Sequence, residues 1–286
     1  MYELLGTILN FAIPVFAAGS MITVGFRYSL SQVVAPLRDI IGVITALVAN
    51  FILVPLLAYG ILQVLPLEKP YAIGLILVST AAGAPMLIKL SENAGEVVSF
   101  AAAILVLLVV VTMVFMPLVV PMLTEEGSVG AWAIARPLVL TMLLPLIGAF
   151  IFRMLWPDAA KRILPWVGMA VNVALWTMVA LTVVINLEAV LSVFGTGAIV
   201  ASLVLIVGAY AIGYLVGTFD KTEKVVLGFA TAQRNFAAAI VVATLGFSDQ
   251  RVLVMAVVVS VAAMILLPFS SWLGTRKGKS AETVNA

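Results

Sequence analysis

The stretch GFATAQRNFA, residues 228–237, lies in a run otherwise made of Leu, Val, Ala, Ile and Phe, and Arg234 is the only charge between Lys224 and Asp249. Of the 286 residues, 64% are hydrophobic and 10% are charged. A soluble domain of this length carries roughly 25% charged residues. Too little charge is present to clothe a water-facing surface, so the chain reads as an all-α integral membrane protein. A guanidinium stays ionised at any relevant pH. At 1.5 Å per residue, Arg234 then falls roughly 15 Å inside its span, near the midplane, where a charge costs about 3 kcal/mol. Something in the fold must compensate it.

Working outward, a bilayer core of about 30 Å needs about 20 apolar residues as helix. Nine candidate spans meet that length, at residues 4–26, 40–65, 70–90, 97–123, 134–156, 163–187, 191–218, 224–247 and 251–274. Helix is the expected form because a lone strand leaves its backbone unsatisfied in lipid. The opening 26 residues lack a basic n-region and read as the first span rather than a cleaved signal. Trp132, Trp156, Trp166 and Trp272 fall near span ends, as interface anchors do.

Basic residues set the orientation. One side would hold Lys69, Arg136 and Arg251. The other would hold Arg27, Arg38, Arg153, Lys161, Arg162, Lys221, Lys224, Arg276, Lys277 and Lys279. That asymmetry places the N-terminus outside and the C-terminus in the cytoplasm, with residues 1–275 a single transmembrane domain and 276–286 a cytoplasmic tail. The expected location is the cell (inner) membrane.

With no Cys and no His, disulfides, thiolate metal sites and the usual neutral-pH proton shuttle are excluded. No carboxylate pair lies at the midplane, so an enzyme is not expected, and nothing points to nucleic acid. No cofactor is expected. The partners expected are the lipid bilayer and a small organic anion.

An internal repeat is visible. The third span starts EKPYAIGLILVSTAAGAPMLIKL, residues 68–90, and the eighth starts from DKTEKVVLGFATAQRNFAAAIVV, residues 220–242. Each opens with Glu-Lys, then a Gly (Gly74, Gly228), then a small-polar cluster. The two spans run in opposite directions, so spans one to four pair with spans six to nine as an inverted repeat, and span five has no partner. In the third span Pro85 removes a backbone donor and disfavours helix at Ala84, and Gly83 weakens helix further. Two interrupted helices meeting at the midplane are what a binding site of this kind requires. The candidate site residues are therefore Ser79, Thr80, Gly83 and Pro85 in the first half, and Ala230, Thr231, Gln233, Arg234 and Asn235 in the second. Lys89, one turn past Pro85, is a second intramembrane cation; Glu92, three residues on, offers it a plain ion pair instead.

The chain resembles the bile acid:sodium symporter family over nearly its whole length. The stretch from Gly19 to Leu62, ending VPLLAYGIL, looks like that family's first helix pair. AAGAP followed by SENAGEVVSFAAA looks like its crossover helix, turn and next helix. The resemblance implies a core of spans 40–123 and 191–274 and a panel of spans 4–26 and 134–187, with transport by alternating access. It also implies that nine-helix members lack the first helix, which accounts for the unpaired fifth span.

The departures from the family pattern fall on its sodium ligands. The second-half motif Glu-x-Gly-x-Gln-Asn aligns with Ala230 to Asn235, so its Glu is Ala230 and its Gln is Arg234. The first-half run Gly-Gly-Thr-Ser-Ser-Asn aligns with Ala82 to Leu87, so a Ser is Met86 and the Asn is Leu87. Hydroxyls expected on the next helix fall near Phe100 and Ile104, or on Ser99. The reading is a sodium-independent carrier of an organic anion. Arg234, with Lys89 as its first-half counterpart, replaces sodium, or else Arg234 binds the substrate's anionic group directly. Two other readings stand beside it: a sodium-coupled symporter with ligands elsewhere, and a ligand sensor on the same scaffold.

Overall fold

A computed structural model describes residues 2–34, 38–96, 98–123, 130–185, 187–217 and 221–285. No strand occurs among the described residues. In chain order the helices are α1 (Tyr2–Arg27), α2 (Leu30–Val34), α3 (Ile40–Val48), α4 (Val54–Val64), α5 (Lys69–Thr80), α6 (Met86–Asn93), α7 (Val98–Leu123) and α8 (Ala131–Leu138). Then follow α9 (Leu144–Leu155), α10 (Pro157–Ile185), α11 (Leu187–Ser192), α12 (Ala198–Val216), α13 (Lys221–Ala232), α14 (Phe236–Gly246), α15 (Gln250–Ala262) and α16 (Leu266–Asn285). The region read as a tail, 276–286, is continuous with α16 as far as Asn285.

Seven helical runs among the described residues are long and apolar enough to cross a bilayer: Leu4–Arg27, Ile40–Val64, Phe100–Met122, Ala131–Leu155, Ala198–Val216, Glu223–Thr244 and Gln250–Arg276. The third expected span is not one helix but two, α5 and α6, of 12 and 8 residues. Gly83, at φ 80°, and Pro85 stop it from continuing. The sixth is the 29-residue α10, which is not among the seven. The seventh starts at Ala198 rather than 191, because a turn through Gly195 and Gly197 separates α11 from α12.

Two runs change helical register. A π turn, Ala49–Leu53, joins α3 to α4, and another, Val139–Leu143, joins α8 to α9. Each stands just ahead of a proline, Pro55 or Pro145. A proline has no N–H for the carbonyl four residues back, and a wider turn absorbs the mismatch.

The window with the deepest burial is Glu223–Thr244, 94% buried, against 22% for Ala131–Leu155. The α13–α14 run is therefore the centre of the fold, and α8–α9 lies at an edge. α13 packs on α12, α5 on α15, and α14 on both α15 and α8, while α1 lies against α9 and α10. Arg153 Nη1 donates to the Phe26 carbonyl at 2.7 Å, tying the end of α9 to the end of α1.

Candidate functional site

Two helix breaks touch at the centre of the molecule. α5 ends at Thr80 and α6 begins at Met86; α13 ends at Ala232 and α14 begins at Phe236. The Asn235 N–H donates to the Ala81 carbonyl at 2.8 Å, joining one break to the other through backbone. The Asn235 side chain accepts from the Ala238 N–H at 3.1 Å, capping the start of α14. Across the first break, the Thr112 hydroxyl of α7 donates to the Ala82 carbonyl and accepts from the Ala82 N–H, each at 3.0 Å. Gly83 packs so near α7 that a Cβ there would lie 2.5 Å from the Val109 nitrogen. Only glycine suits both that approach and its positive φ.

Helix breaks leave carbonyls without N–H partners. In a continuous helix the Thr231 carbonyl would take the N–H of residue 235, but that N–H has gone to Ala81. The Ser79 carbonyl would take the N–H of Gly83, which lies beyond the end of α5. A third orphan arises in the π turn. The Val54 N–H bonds Ala49 instead of Asn50. The next residue in that wider register is Pro55, which has no N–H, so the Asn50 carbonyl is left open.

Arg234 meets all three. Its Nε donates to the Val78 carbonyl at 3.2 Å. Its Nη1 donates to Asn50 Oδ1 at 2.8 Å and to the Thr231 carbonyl at 3.1 Å. Its Nη2 donates to the Asn50 carbonyl at 3.3 Å and, by a short bond, to the Ser79 carbonyl. A guanidinium has five N–H donors, and these are five bonds. The residue is 0% exposed, so no donor remains for a further ligand. The Asn50 amide is itself oriented by Nδ2 donating to the Ala46 carbonyl at 2.9 Å.

Every acceptor in this cage is a neutral oxygen. The positive charge is offset by dipoles rather than by a carboxylate: α5 and α13 both end at the cage, and helix C-termini carry partial negative charge. Burying a charge is tolerable only with such complete hydrogen bonding.

The other candidates divide. The Thr231 hydroxyl faces α12, donating to the Ala209 carbonyl at 2.7 Å; its carbonyl, not its side chain, serves the cage. Ser79 and Thr80 turn their hydroxyls back onto the Ile76 and Leu77 carbonyls, at 2.7 and 2.9 Å. Ala230 and Gln233 are buried beside the second break, and the Gln233 N–H bonds the Phe229 carbonyl at 2.8 Å. Pro85 caps α6.

Lys89 lies on α6 with its side chain exposed, one turn past the first break, whereas Arg234 is buried. The partner expected for Lys89, Glu92, instead lies 3.9 Å from Arg27. Ile104 is buried and Phe100 partly so, with no hydroxyl at either; the Ser99 side chain lies outside the described residues.

Two residues that hold the site together were not singled out for it. These are Asn50 and Thr112. Both leave a trace in the sequence. Asn50 stands five residues before Pro55, and Thr112 carries the only polar side chain between Phe100 and Leu123. Among the described residues, no cluster of three His, Cys, Asp or Glu could hold a metal ion.

The family model described as the Sodium Bile acid symporter family matches residues 13–193, well over half the chain. The matched part includes Asn50 and the first break and ends before Arg234. No curated protein matches the chain.

Proposed function

Because the chain belongs to the sodium bile acid symporter family, a family of membrane transporters, we propose that it carries an organic anion across the bilayer with a resident arginine in place of sodium. The proposed arrangement is nine spans, N-terminus outside and C-terminus inside, in an inverted repeat. A core (40–123 and 191–274) moves against a panel (4–26 and 134–187) in the cell (inner) membrane, exposing the site to each side in turn. The substrate class is an amphipathic carboxylate or sulfonate.

The observation that carries this reading is the full use of the Arg234 donors by helix-end and π-turn oxygens. Broken transporter helices hold their coupling cation with such oxygens. Here the cation is covalently part of the chain. Sodium takes hard oxygen ligands, and the residues present do not fit it: Ala230, Met86 and Leu87 offer no side-chain oxygen where the family pattern has them. The complete cage also favours Arg234 as a structural cation over Arg234 as a direct substrate ligand.

The test is thermal unfolding of the detergent-purified chain in sodium, potassium and choline. The native protein is expected to melt alike in all three. Arg234→Gln combined with Ala230→Glu is expected to gain a sodium-specific upward shift. Selective stabilisation of the native chain by sodium would make it a coupled symporter and sink the reading.

A further inference from the structure

With Arg234 saturated, the question is which cation remains for a substrate anion. α6 gives an answer through its faces. Leu87, Ile88, Leu90 and Ser91 are buried against α7, α13 and α16. The opposite side carries Met86, half-buried, with Lys89 and Glu92 exposed; Asn93 turns to α16, where its Nδ2 donates to Ser270 Oγ at 3.5 Å. Residues three and four apart share a helix face, so Met86, Lys89 and Glu92 look the same way. What they look toward is fixed by Glu92: its Oε1 lies 3.9 Å from Nη1 of Arg27, the last residue of α1. Lys89 therefore stands one turn closer to the first break than an ion pair that bridges α6 to α1.

That pair is neutral in sum. Lys89 makes no ion pair with a described residue, so this exposed face of α6 carries one ammonium that no carboxylate offsets. An ammonium facing hydrocarbon is costly, whereas one facing a water-filled cavity is the usual mark of a substrate path. We propose that Lys89 recruits the anionic group of the substrate, a carboxylate or sulfonate on an organic monoanion, in a wet crevice between α6 and α1. This rests on the transporter reading above and assigns it an anion-binding residue distinct from Arg234.

The chain has no cysteine, so a single introduced thiol reports its own surroundings. Met86→Cys puts one about 6 Å from Lys89 on the same face. The probes are two water-soluble methanethiosulfonates, one an organic sulfonate and one a quaternary ammonium, applied to the full chain in membrane vesicles at low salt. The anionic reagent is expected to react faster than the cationic one. Adding Lys89→Gln should lower that rate ratio by about five- to tenfold, the Coulomb effect of one charge at that distance.

Two results overturn the proposal: a ratio that Lys89→Gln leaves unchanged, or a thiol that neither reagent reaches until the protein is denatured. Should Met86→Cys fail to give a monodisperse protein, Glu92→Cys, exposed on the other side of Lys89, takes its place. None of these readouts involves sodium or Arg234. Failure here and failure of the fixed-cation reading are therefore separate results.

Discussion

Pro55 stands five residues after Asn50, and the N–H that Pro55 lacks is the one the π register would have sent to the Asn50 carbonyl. Arg234 Nη2 takes that vacancy at 3.3 Å, while Nη1 takes the Asn50 side chain at 2.8 Å. One residue thus grips the guanidinium from two directions. The π turn that a proline imposes on α3–α4 is part of the cation site.

Asn50→Leu should lower stability by about 1.5–3 kcal/mol, the range for a hydrogen bond to a charged group. The mutant keeps the volume and loses Oδ1, so a buried Nη1 donor is left with one partner instead of two. The measurement is the melting temperature in detergent, with Val207→Ala on the exposed side of α12 expected to change little.

Arg234→Lys keeps the charge but not the geometry. An ammonium offers three donors on a point, against five in a planar fork. At least two of the five oxygens lose their donor, at about 1–3 kcal/mol for each buried group left unsatisfied. We expect a lower melting temperature than for Asn50→Leu. A lysine variant as stable as the native chain would show that charge alone, and not the fork, holds the two breaks.

Thr112→Val removes the hydroxyl that both donates to and accepts from Ala82. Both Ala82 groups are then buried without partners, so a loss of about 2 kcal/mol or more is expected, with Thr112→Ser recovering most of it. Comparing the two variants separates the hydroxyl from the methyl.

Asp249 gives a pH dependence. It caps α15, accepting from the Arg251 N–H at 2.9 Å, and pairs with Arg251 Nη2 at 2.8 Å. The Arg251 side-chain hydrogen bonds hold its carboxyl below the usual value. A carboxyl lowered in the folded state adds stability above its ordinary pKa of about 3.9 and loses it as pH falls through the lowered value. The melting-temperature gap between native protein and Asp249→Asn should therefore be constant near neutrality. It should shrink below about pH 4.

The breaks were legible because their causes are local: Gly83 and Pro85 stop a helix wherever they stand, and Arg234 is conspicuous in apolar company. The family was legible too, and its match over residues 13–193 bears it out. What the sequence concealed was partnership. That Asn50 faces Arg234 depends on a register shift and on α4 packing beside α5, neither of which periodicity reports. Thr112 lies about two turns beyond Ile104 and three beyond Phe100, the positions where hydroxyls were expected, and it serves the Ala82 backbone. Depth along a chain also does not say which way a side chain points: Lys89 is exposed where Arg234 is buried.

The cage also bears on how the chain is made. Four of its five oxygens, from Asn50, Val78 and Ser79, are synthesised early, whereas the charge they accept follows 184 residues after Asn50. Until Arg234 is made, those four oxygens lack the donor that closes the cage. Insertion of the α13–α14 run is then energetically conditional on correct placement of α3–α4 and α5. A nascent chain with an early error would expose a bare guanidinium to lipid, a defect of the kind that membrane quality control can recognise.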